Sequence, residues 1–425
     1  MTRSGMSEEM ADVIVVGAGP AGATAACWLA EQGLGVALLE KSSFPRDKVC
    51  GDGLTPRATK QLVRLGIDVS EDAGWLHNKG LRVYGSRPEP FHIPWPELGE
   101  FPSFGLVRKR ADFDELLANH AVAKGATLYQ QANVNGAAID DRSGRITGVT
   151  TKDGRRFSAP LVVAADGNSS PVAKAMGLLK DGKKPMGVAC RTYFTSPRHD
   201  DDWMESWLQL WDGKPGESNL LPGYGWIFGM GDGTCNVGLG TVASTATSQK
   251  LNYRDLLHRW LANTPAEWGF NPDNQVGGVA SAALPMAFNR KPAYSKGLLL
   301  VGDSGGMVSP FNGEGIPYAM EAGEAAADAV ARAHAEGVGT PAAEKALAGY
   351  PIRLAHEWGG YFRLGQRFVK LIEHPEVMRV CVRYGLPRPT LMRFTIKLLA
   401  HLYDTREGDW MDRVIHSLSR VVPSA

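Results

Sequence analysis

The chain has 425 residues, with 46 Lys plus Arg against 45 Asp plus Glu. That length accommodates two or three domains of about 100 to 200 residues each, and the near-zero balance removes the electrostatic case for nucleic acid as a main partner. The five cysteines (Cys27, Cys50, Cys190, Cys235, Cys381) are scattered, odd in number and without C-x-x-C spacing, which argues against a disulfide framework or a zinc site and suits a reduced cytosol.

The first element is Asp12 to Lys41. An apolar strand (Val13 to Val16) runs into Gly17-x-Gly19-x-x-Gly22, then a helix with Ala25, Ala26 and Leu29, then a second apolar strand (Val36 to Leu39) ending in Glu40. The spacing predicts a dinucleotide-binding βαβ unit, with the diphosphate on the positive end of the helix. Glu40, at the tip of the second strand, can accept both ribose hydroxyls of an adenosine and disfavours a 2′-phosphate, so FAD or NAD is expected over NADP. The preceding MTRSGMSEEM is short and polar and does not read as a signal peptide.

In the loop SSFPRDKVCGDGLTPRATK, Pro45 enforces an extended entry, Gly51 and Gly53 permit unusual backbone angles, and Thr55 can cap a following helix. Cys50 is either a thiolate favoured by Lys48 and the helix terminus or a small packing residue. RADFDELLANHAVAKGATLY reads as an amphipathic helix and a strand. Arg110 stands at the helix start, where it opposes the dipole; either an anion elsewhere partners it or it is a solvated surface residue. A hairpin (Val134 to Ile139, Ile146 to Thr151) follows, and then an apolar strand leading to Asp166-Gly167 and a helix from Pro171.

From about Arg191 to Leu284 the texture is aromatic and antiparallel. Trp207, Gln209 and Trp211 alternate as one strand face, and Tyr224, Trp226 and Phe228 form another. Such a face is either core or the wall of an apolar slot. Nucleotide-domain texture returns at Leu298 to Val301 with Gly302-Asp303, and Gly313-Glu314-Gly315-Ile316 opens an alanine-rich helix. From about Ala346 onward the chain is helical. Arg379, Arg383, Arg388, Arg393 and Lys397 interleave there with apolar residues, as on a helix facing an anionic membrane or on one packed against the protein. No apolar run approaches the roughly 18 to 20 residues that span a bilayer, so membrane contact is expected to be peripheral.

The set GAGPAG, FPRDKVCGDG, RADFD, ADG, GYGWIF and VGDSGG…PFNGEGI resembles the geranylgeranyl reductase family of FAD enzymes, within the group that includes aromatic hydroxylases and flavin halogenases. The likeness is strongest to the actinobacterial branch that saturates one isoprene unit of the menaquinone tail. It implies an α/β fold: a Rossmann-like FAD-binding domain of the aromatic-hydroxylase type from segments 11–77, 105–190 and 290–345. A substrate-binding antiparallel sheet from 78–104 and 191–289 would be inserted, and a helical region 346–425 would follow.

The resemblance further implies that Gly17, Ala18, Gly19, Pro20, Ala21 and Gly22 hold the FAD pyrophosphate and that Glu40 and Lys41 lie at the adenosine ribose. Lys48, Cys50, Gly51, Asp52 and Gly53 would border the cofactor, Arg110 would support its phosphates, Asp303 its ribityl or diphosphate part, and Gly315 and Ile316 would lie under the isoalloxazine. Tyr224, Trp226 and Phe228 would bind substrate. The family's Pro-x-x-Tyr-x-Trp-x-Phe-Pro pattern is broken at both ends, by Pro222 one place late and by Gly229.

An isolated alkene has no carbonyl to polarise, so hydride delivery needs protonation. Positive charge at the tertiary carbon would be stabilised by the faces of Tyr224 and Trp226. Cys50 is the nearest proton donor by sequence, with water and the flavin as alternatives; a thiol near pKa 8.5 is a weak acid for the task. Only one complete dinucleotide fingerprint is present, so electrons would come from transiently docked NAD(P)H or a ferredoxin-type protein. The expected partners are an isoprenoid lipid, menaquinone first, and an anionic membrane surface, with the enzyme cytoplasmic and peripherally bound. Other substrates of the same chemistry are a geranylgeranyl lipid or diphosphate, and the rival class is a flavin monooxygenase or halogenase.

Overall fold

Short runs of valine, leucine and isoleucine make the first sheet of this computed structural model, which describes residues 8–85, 89–242, 251–385, 387–404 and 408–421. Val13–Val16, Val36–Leu39, Leu161–Ala164 and Leu298–Leu300 are each buried along their whole length, as parallel strands covered on both faces must be. With Tyr294–Ser295 and Thr127–Tyr129 they form a six-stranded sheet in the order Tyr294–Ser295, Leu298–Leu300, Leu161–Ala164, Val13–Val16, Val36–Leu39, Thr127–Tyr129. Every pairing is parallel except that of Tyr294–Ser295 at the edge.

Two helices pack on one face of this sheet through small residues. Helix Pro20–Glu31 follows the glycine fingerprint and helix Ile316–Ala335 follows Gly315. A Cβ on Gly323 would lie 2.5 Å from the carbonyl oxygen of Ala21, so the two backbones approach as closely as their alanines and glycines allow. The hairpin Val134–Ile139 and Ile146–Thr151 joins Arg156–Ser158 and the N-terminal strand Glu8–Met10 in a separate four-stranded sheet.

The long second sheet has seven strands in the order Gln275–Pro285, Met186–Thr195, Thr234–Val242, Gly223–Gly229, Met204–Trp207, Gly80–Tyr84, Phe91–Pro94. Its pairings are antiparallel apart from that of Met204–Trp207 with Gly80–Tyr84. One face carries Phe194, Ile227, Val237 and Leu239 with Leu256, Leu257 and Trp260 of helix Tyr253–Leu261. The other carries Trp226, Phe228 and Met204, which pack with Met392, Ile396, Ala400 and Leu402 from the C-terminal helices.

The strand expected to alternate Trp207, Gln209 and Trp211 ends at Trp207. Trp211 makes only an isolated bridge to Leu220, and Trp207 stacks on Tyr84 at 4.3 Å beside Trp260 and Trp268. That cluster belongs to the face opposite Trp226. Beyond Trp207 the ladder continues only irregularly, with Leu221 N–H donating to the Leu210 carbonyl and Asp212 N–H to the Asn219 carbonyl, so strict period-two alternation does not carry on to Trp211.

The helical C-terminus comprises Pro341–Ile372, Pro375–Gly385, Pro389–Leu399 and Trp410–Val421. Among the described residues, no helix is long and apolar enough to cross a membrane.

Candidate active site

Loops at the carboxyl ends of four parallel strands converge: Gly17–Gly19, Glu40, Ala165–Gly167 and Gly302–Gly306. This is the edge at which open α/β sheets hold ligands. Gly17 has φ +99, and a Cβ there would sit 2.4 Å from the Ala165 carbonyl oxygen; one on Gly22 would sit 1.8 Å from that of Gly17. Both are fixed by the fold. Gly19 differs, because a Cβ there would meet nothing closer than 3.8 Å, and what it would meet is Arg110, Arg46 and Asp114.

Helix Pro20–Glu31 begins with proline, has no side-chain cap and has no acid in its first turn. Its free N–H groups and two nearby guanidinium groups fit a diphosphate. Glu40 is buried and accepts from the backbone of Ala18 at 3.2 Å, from Ser42 at 3.1 Å and from Arg46 at 3.1 Å. Arg46 also pairs with Asp114, which Arg110 grips at 2.6 and 2.8 Å. The anion sought for Arg110 is thus Asp114, one turn on in its own helix, Arg110–Ala123. Lys41 is exposed and Lys48 is exposed, and neither side chain has a hydrogen bond or ion pair among the described residues.

The loop Cys50–Gly53 lies against the aromatic strand. A Cβ on Gly53 would be 2.5 Å from the Met204 methyl and 3.1 Å from the Phe228 ring, and one on Gly51 would be 3.2 Å from Phe228 and 3.4 Å from Trp226 Nε1. Asp52, at φ +63, is buried and accepts from the Arg110 backbone at 3.2 Å, from the Tyr193 hydroxyl at 2.6 Å and from Asn236 Nδ2 at 2.8 Å. Asn236 also donates to the Cys50 carbonyl at 2.9 Å and accepts from Trp226 Nε1 at 2.9 Å.

Burial raises the Asp52 carboxyl to about 6 against the pull of the Tyr193 and Asn236 donors. It also pushes the Cys50 thiol up, with Arg110 opposing. The expectation that Lys48 and the helix terminus favour a Cys50 thiolate is therefore corrected. The cation facing the sulfur is Arg110, and desolvation outweighs it.

The other wall is the segment Ser309–Gly315. Tyr224 donates to the Asn312 carbonyl at 2.6 Å, and its ring lies 6.1 Å from that of Trp226, itself 6.5 Å from Phe228. Trp226 and Phe228 are buried, whereas Tyr224 stays partly open. Asp303 is partly open, its carboxylate has no hydrogen bond or ion pair among the described residues, and an added Cβ on Gly315 would be 3.8 Å from its Oδ1. Gly315 forms the N-cap of helix Ile316–Ala335 without a capping side chain. Ile316 is buried beside it.

Thr55, expected to cap helix Pro56–Arg64, makes no capping bond. Its hydroxyl donates instead to Glu314 Oε1 at 2.6 Å, tying the Cys50 loop to the Gly313–Ile316 turn. Burial lifts the Glu314 carboxyl to about 7, while Thr55, Asn312 and Arg57 hold it down.

The basic C-terminal set is smaller than its sequence suggests. Lys397 is buried, donating to Asp409 at 3.0 Å and Asp412 at 2.9 Å, and Arg379 pairs with Glu376. Arg383, Arg388 and Arg393 are exposed. A groove of about 640 Å³ is lined by Arg388, Pro389, Leu391, Phe394, Trp410 and Val414.

Sequence reasoning missed Arg46, Asp114, Tyr193, Asn236 and the link from Thr55 to Glu314. Two of these carried a signal: Asp114 stands four residues after Arg110, an ion-pair spacing, and Asn236 is a lone amide in an apolar strand, where a buried polar group needs partners.

Residues 10–340 match the family model described as FAD binding domain. The chain is 33% identical over 418 residues to the menaquinone reductase of Mycobacterium tuberculosis, covering 98% of each protein. It is 29% identical to the digeranylgeranylglycerophospholipid reductase of Methanosarcina acetivorans, over 78% of this chain and 77% of that one. Its fold is similar to that of a geranylgeranyl bacteriochlorophyll reductase-like protein from Thermoplasma acidophilum, with a TM-score of 0.77, 21% identity and coverage of 97% of this chain and 100% of the other.

Proposed function

The chain belongs to the geranylgeranyl reductase family of FAD-dependent oxidoreductases, and from that premise we propose that it saturates an isolated double bond in a polyprenyl chain, one isoprene unit of the menaquinone tail. The carrying observation is the apposition of the Cys50–Gly53 loop to Trp226 and Phe228 with no side chain between. On this reading the loop that would border the cofactor lies against an apolar aromatic wall, and near-full-length similarity to a menaquinone reductase supports menaquinone as the substrate.

FAD is the cofactor. Gly17 to Gly22, Arg46 and Arg110 would hold its diphosphate, Glu40 its adenosine ribose and Asp303 its ribityl region, with Gly315 and Ile316 beneath the ring. When bound and reduced it supplies hydride. The chain's own part is to fix the alkene beside the cofactor, exclude water and meet the charge that develops. The ring faces of Tyr224 and Trp226 offer negative quadrupole to a tertiary carbon becoming cationic. Met204, Met392 and Ile396 extend the apolar surroundings, and each buried methylene contributes about 0.8 kcal/mol, so affinity should rise with tail length.

The helix that covers the aromatic wall, Pro389–Leu399, presents Leu391 and Phe394 to the outer groove. Exposed Leu391, Trp410 and Val414 line that groove with Arg388, and Arg383 and Arg393 of the neighbouring C-terminal helices are exposed as well. These features support peripheral docking on an anionic membrane, through which a quinone tail would reach the site. Electrons would come from transiently docked NAD(P)H or a ferredoxin-type protein, since the chain has one dinucleotide fingerprint.

The test is to incubate chemically reduced enzyme with menaquinone under anaerobic conditions and to locate added mass by fragmentation. The expected product is heavier by two hydrogens in the tail. Hydrogens on the ring alone, or a hydroxylated product, would overturn the reading; equal reduction of a geranylgeranylated phospholipid would remove menaquinone as the preferred substrate.

A further inference from the structure

Saturation of an isolated alkene needs a proton as well as a hydride, and the acid must hold that proton near neutral pH, lie at the apolar wall and be stabilised once it is ionised. The groups around the wall separate on these terms. Tyr224 is pushed up to about 12 by burial and commits its proton to the Asn312 carbonyl. Tyr318 and Tyr361 lie higher still, held up by burial. His401 is kept neutral by burial and Arg57, with both ring nitrogens facing the hydroxyls of Tyr318 and Tyr403.

Arg57 is locked to Glu321, to which Trp358 also donates at 3.0 Å. Asp52 is walled in by three donors. The Cys50 thiol is a weaker acid than an ordinary cysteine. Glu314 is left. Its carboxyl takes the Thr55 hydroxyl at 2.6 Å and faces the Asn312 amide at 3.5 Å. The residue is partly open in a largely buried neighbourhood. The neighbouring Gly313 brings the turn under the aromatic wall, for a Cβ there would stand 3.9 Å from the Tyr224 hydroxyl.

We propose that Glu314 is the proton donor of the reaction, with Thr55 its positioning residue. This rests on the prenyl-reduction reading. The Glu314 O–H bond breaks and the alkene π pair forms a C–H bond at the less substituted carbon. The tertiary carbon, left electron-poor beside Tyr224 and Trp226, takes the hydride that reduced FAD supplies. The cofactor loses two electrons and the tail gains two hydrogens. The carboxylate keeps its bonds to Thr55 and Asn312 and regains its proton from water.

The experiment compares wild type, Glu314→Gln and Thr55→Ala as FAD-loaded, chemically reduced proteins in anaerobic single turnover with menaquinone across pH 5.5 to 9. Wild-type tail reduction should fall as pH rises through the Glu314 ionisation. E314Q should be slower by about 10²- to 10⁴-fold and lose that limb. T55A removes a donor to the carboxylate, so its limb should move to higher pH, which loss of packing alone would not cause. Without substrate, infrared difference spectra of the oxidised protein between low and high pH should show a protonated carboxyl band that is diminished in E314Q, the remainder belonging to Asp52 and Asp166.

E314Q within threefold of wild type, a T55A limb unmoved, or an unchanged band in E314Q would each overturn the proposal. If wild type reduces the tail while E314Q does so equally, only this proposal falls. If wild type yields no tail reduction, the prenyl-reduction reading falls and takes this step with it.

Discussion

Asn236 donates from its side-chain amide to the Asp52 carboxylate at 2.8 Å, across 184 residues of chain. The same amide accepts from Trp226 and donates to the Cys50 carbonyl. One side chain therefore sets the distance between the loop expected to border the cofactor and the wall expected to bind substrate.

Asn236→Ala should accordingly damage more than packing. It leaves Trp226 Nε1 without its partner and removes donors from Asp52 and Cys50. At about 1 to 3 kcal/mol per buried group left unsatisfied, the loss should be on the order of 2 to 5 kcal/mol in urea unfolding, with weaker FAD retention on gel filtration. A loss under about 1 kcal/mol with normal FAD content would show that water replaces the amide and that the bridge is dispensable.

The glycines of the fingerprint should divide by mutation. Gly22→Ala forces a Cβ to 1.8 Å from the Gly17 carbonyl, and the protein should fail to fold or bind FAD at any concentration. Gly19→Ala adds a Cβ that meets nothing closer than 3.8 Å. Its FAD-free form should melt within about 0.5 kcal/mol of wild type, the range of a change free of packing consequences, yet bind FAD weakly because the new methyl enters the space between Arg46 and Arg110. Equal FAD affinity in Gly19→Ala and wild type would place the diphosphate elsewhere.

Stability of the FAD-free protein should fall as pH rises through the acid range. Burial raises Glu314 from 4.5 to about 7, and Asp52 and Asp166 from 3.8 to about 6. A carboxyl that binds its proton more tightly folded than unfolded favours folding below its unfolded pKa and withdraws that contribution as pH climbs through the folded value. For Glu314 the change is on the order of 3 kcal/mol at 1.36 kcal/mol per pKa unit. Glu314→Gln should therefore gain on wild type between pH 5 and pH 8 in thermal melts. A mutant offset that is the same at both pH values would show that Glu314 does not titrate in this range.

Binding to vesicles should depend on three arginines and an apolar rim, with Lys397 playing no direct part. Replacing Arg383, Arg388 and Arg393 by alanine should remove the salt-sensitive component, at about 1 kcal/mol per cation on an anionic surface. Leu391→Glu with Trp410→Glu should weaken sedimentation with anionic vesicles at low and high salt alike. Lys397→Ala would instead strand Asp412 and lower stability. Unchanged sedimentation in the triple arginine variant at low salt would remove the electrostatic part of the docking.

Whatever follows from local repetition is legible before folding. The four-residue apolar strands, the glycine fingerprint, the helix from Arg110 and the hairpin at Val134–Ile139 and Ile146–Thr151 are set by short-range pattern, because a buried parallel strand or a diphosphate turn tolerates few residue types. FAD and the family were legible for the same reason. Tertiary structure alone decided the partners of charged and polar groups: Arg46 between Glu40 and Asp114, Asn236 between Trp226 and Asp52, Thr55 turned from its helix to Glu314, Lys397 drawn inward by Asp409 and Asp412. A hydrogen bond or ion pair between residues as much as 259 positions apart leaves no periodic trace. Its energy depends on burial and geometry that exist only after the sheets and the C-terminal helices have come together.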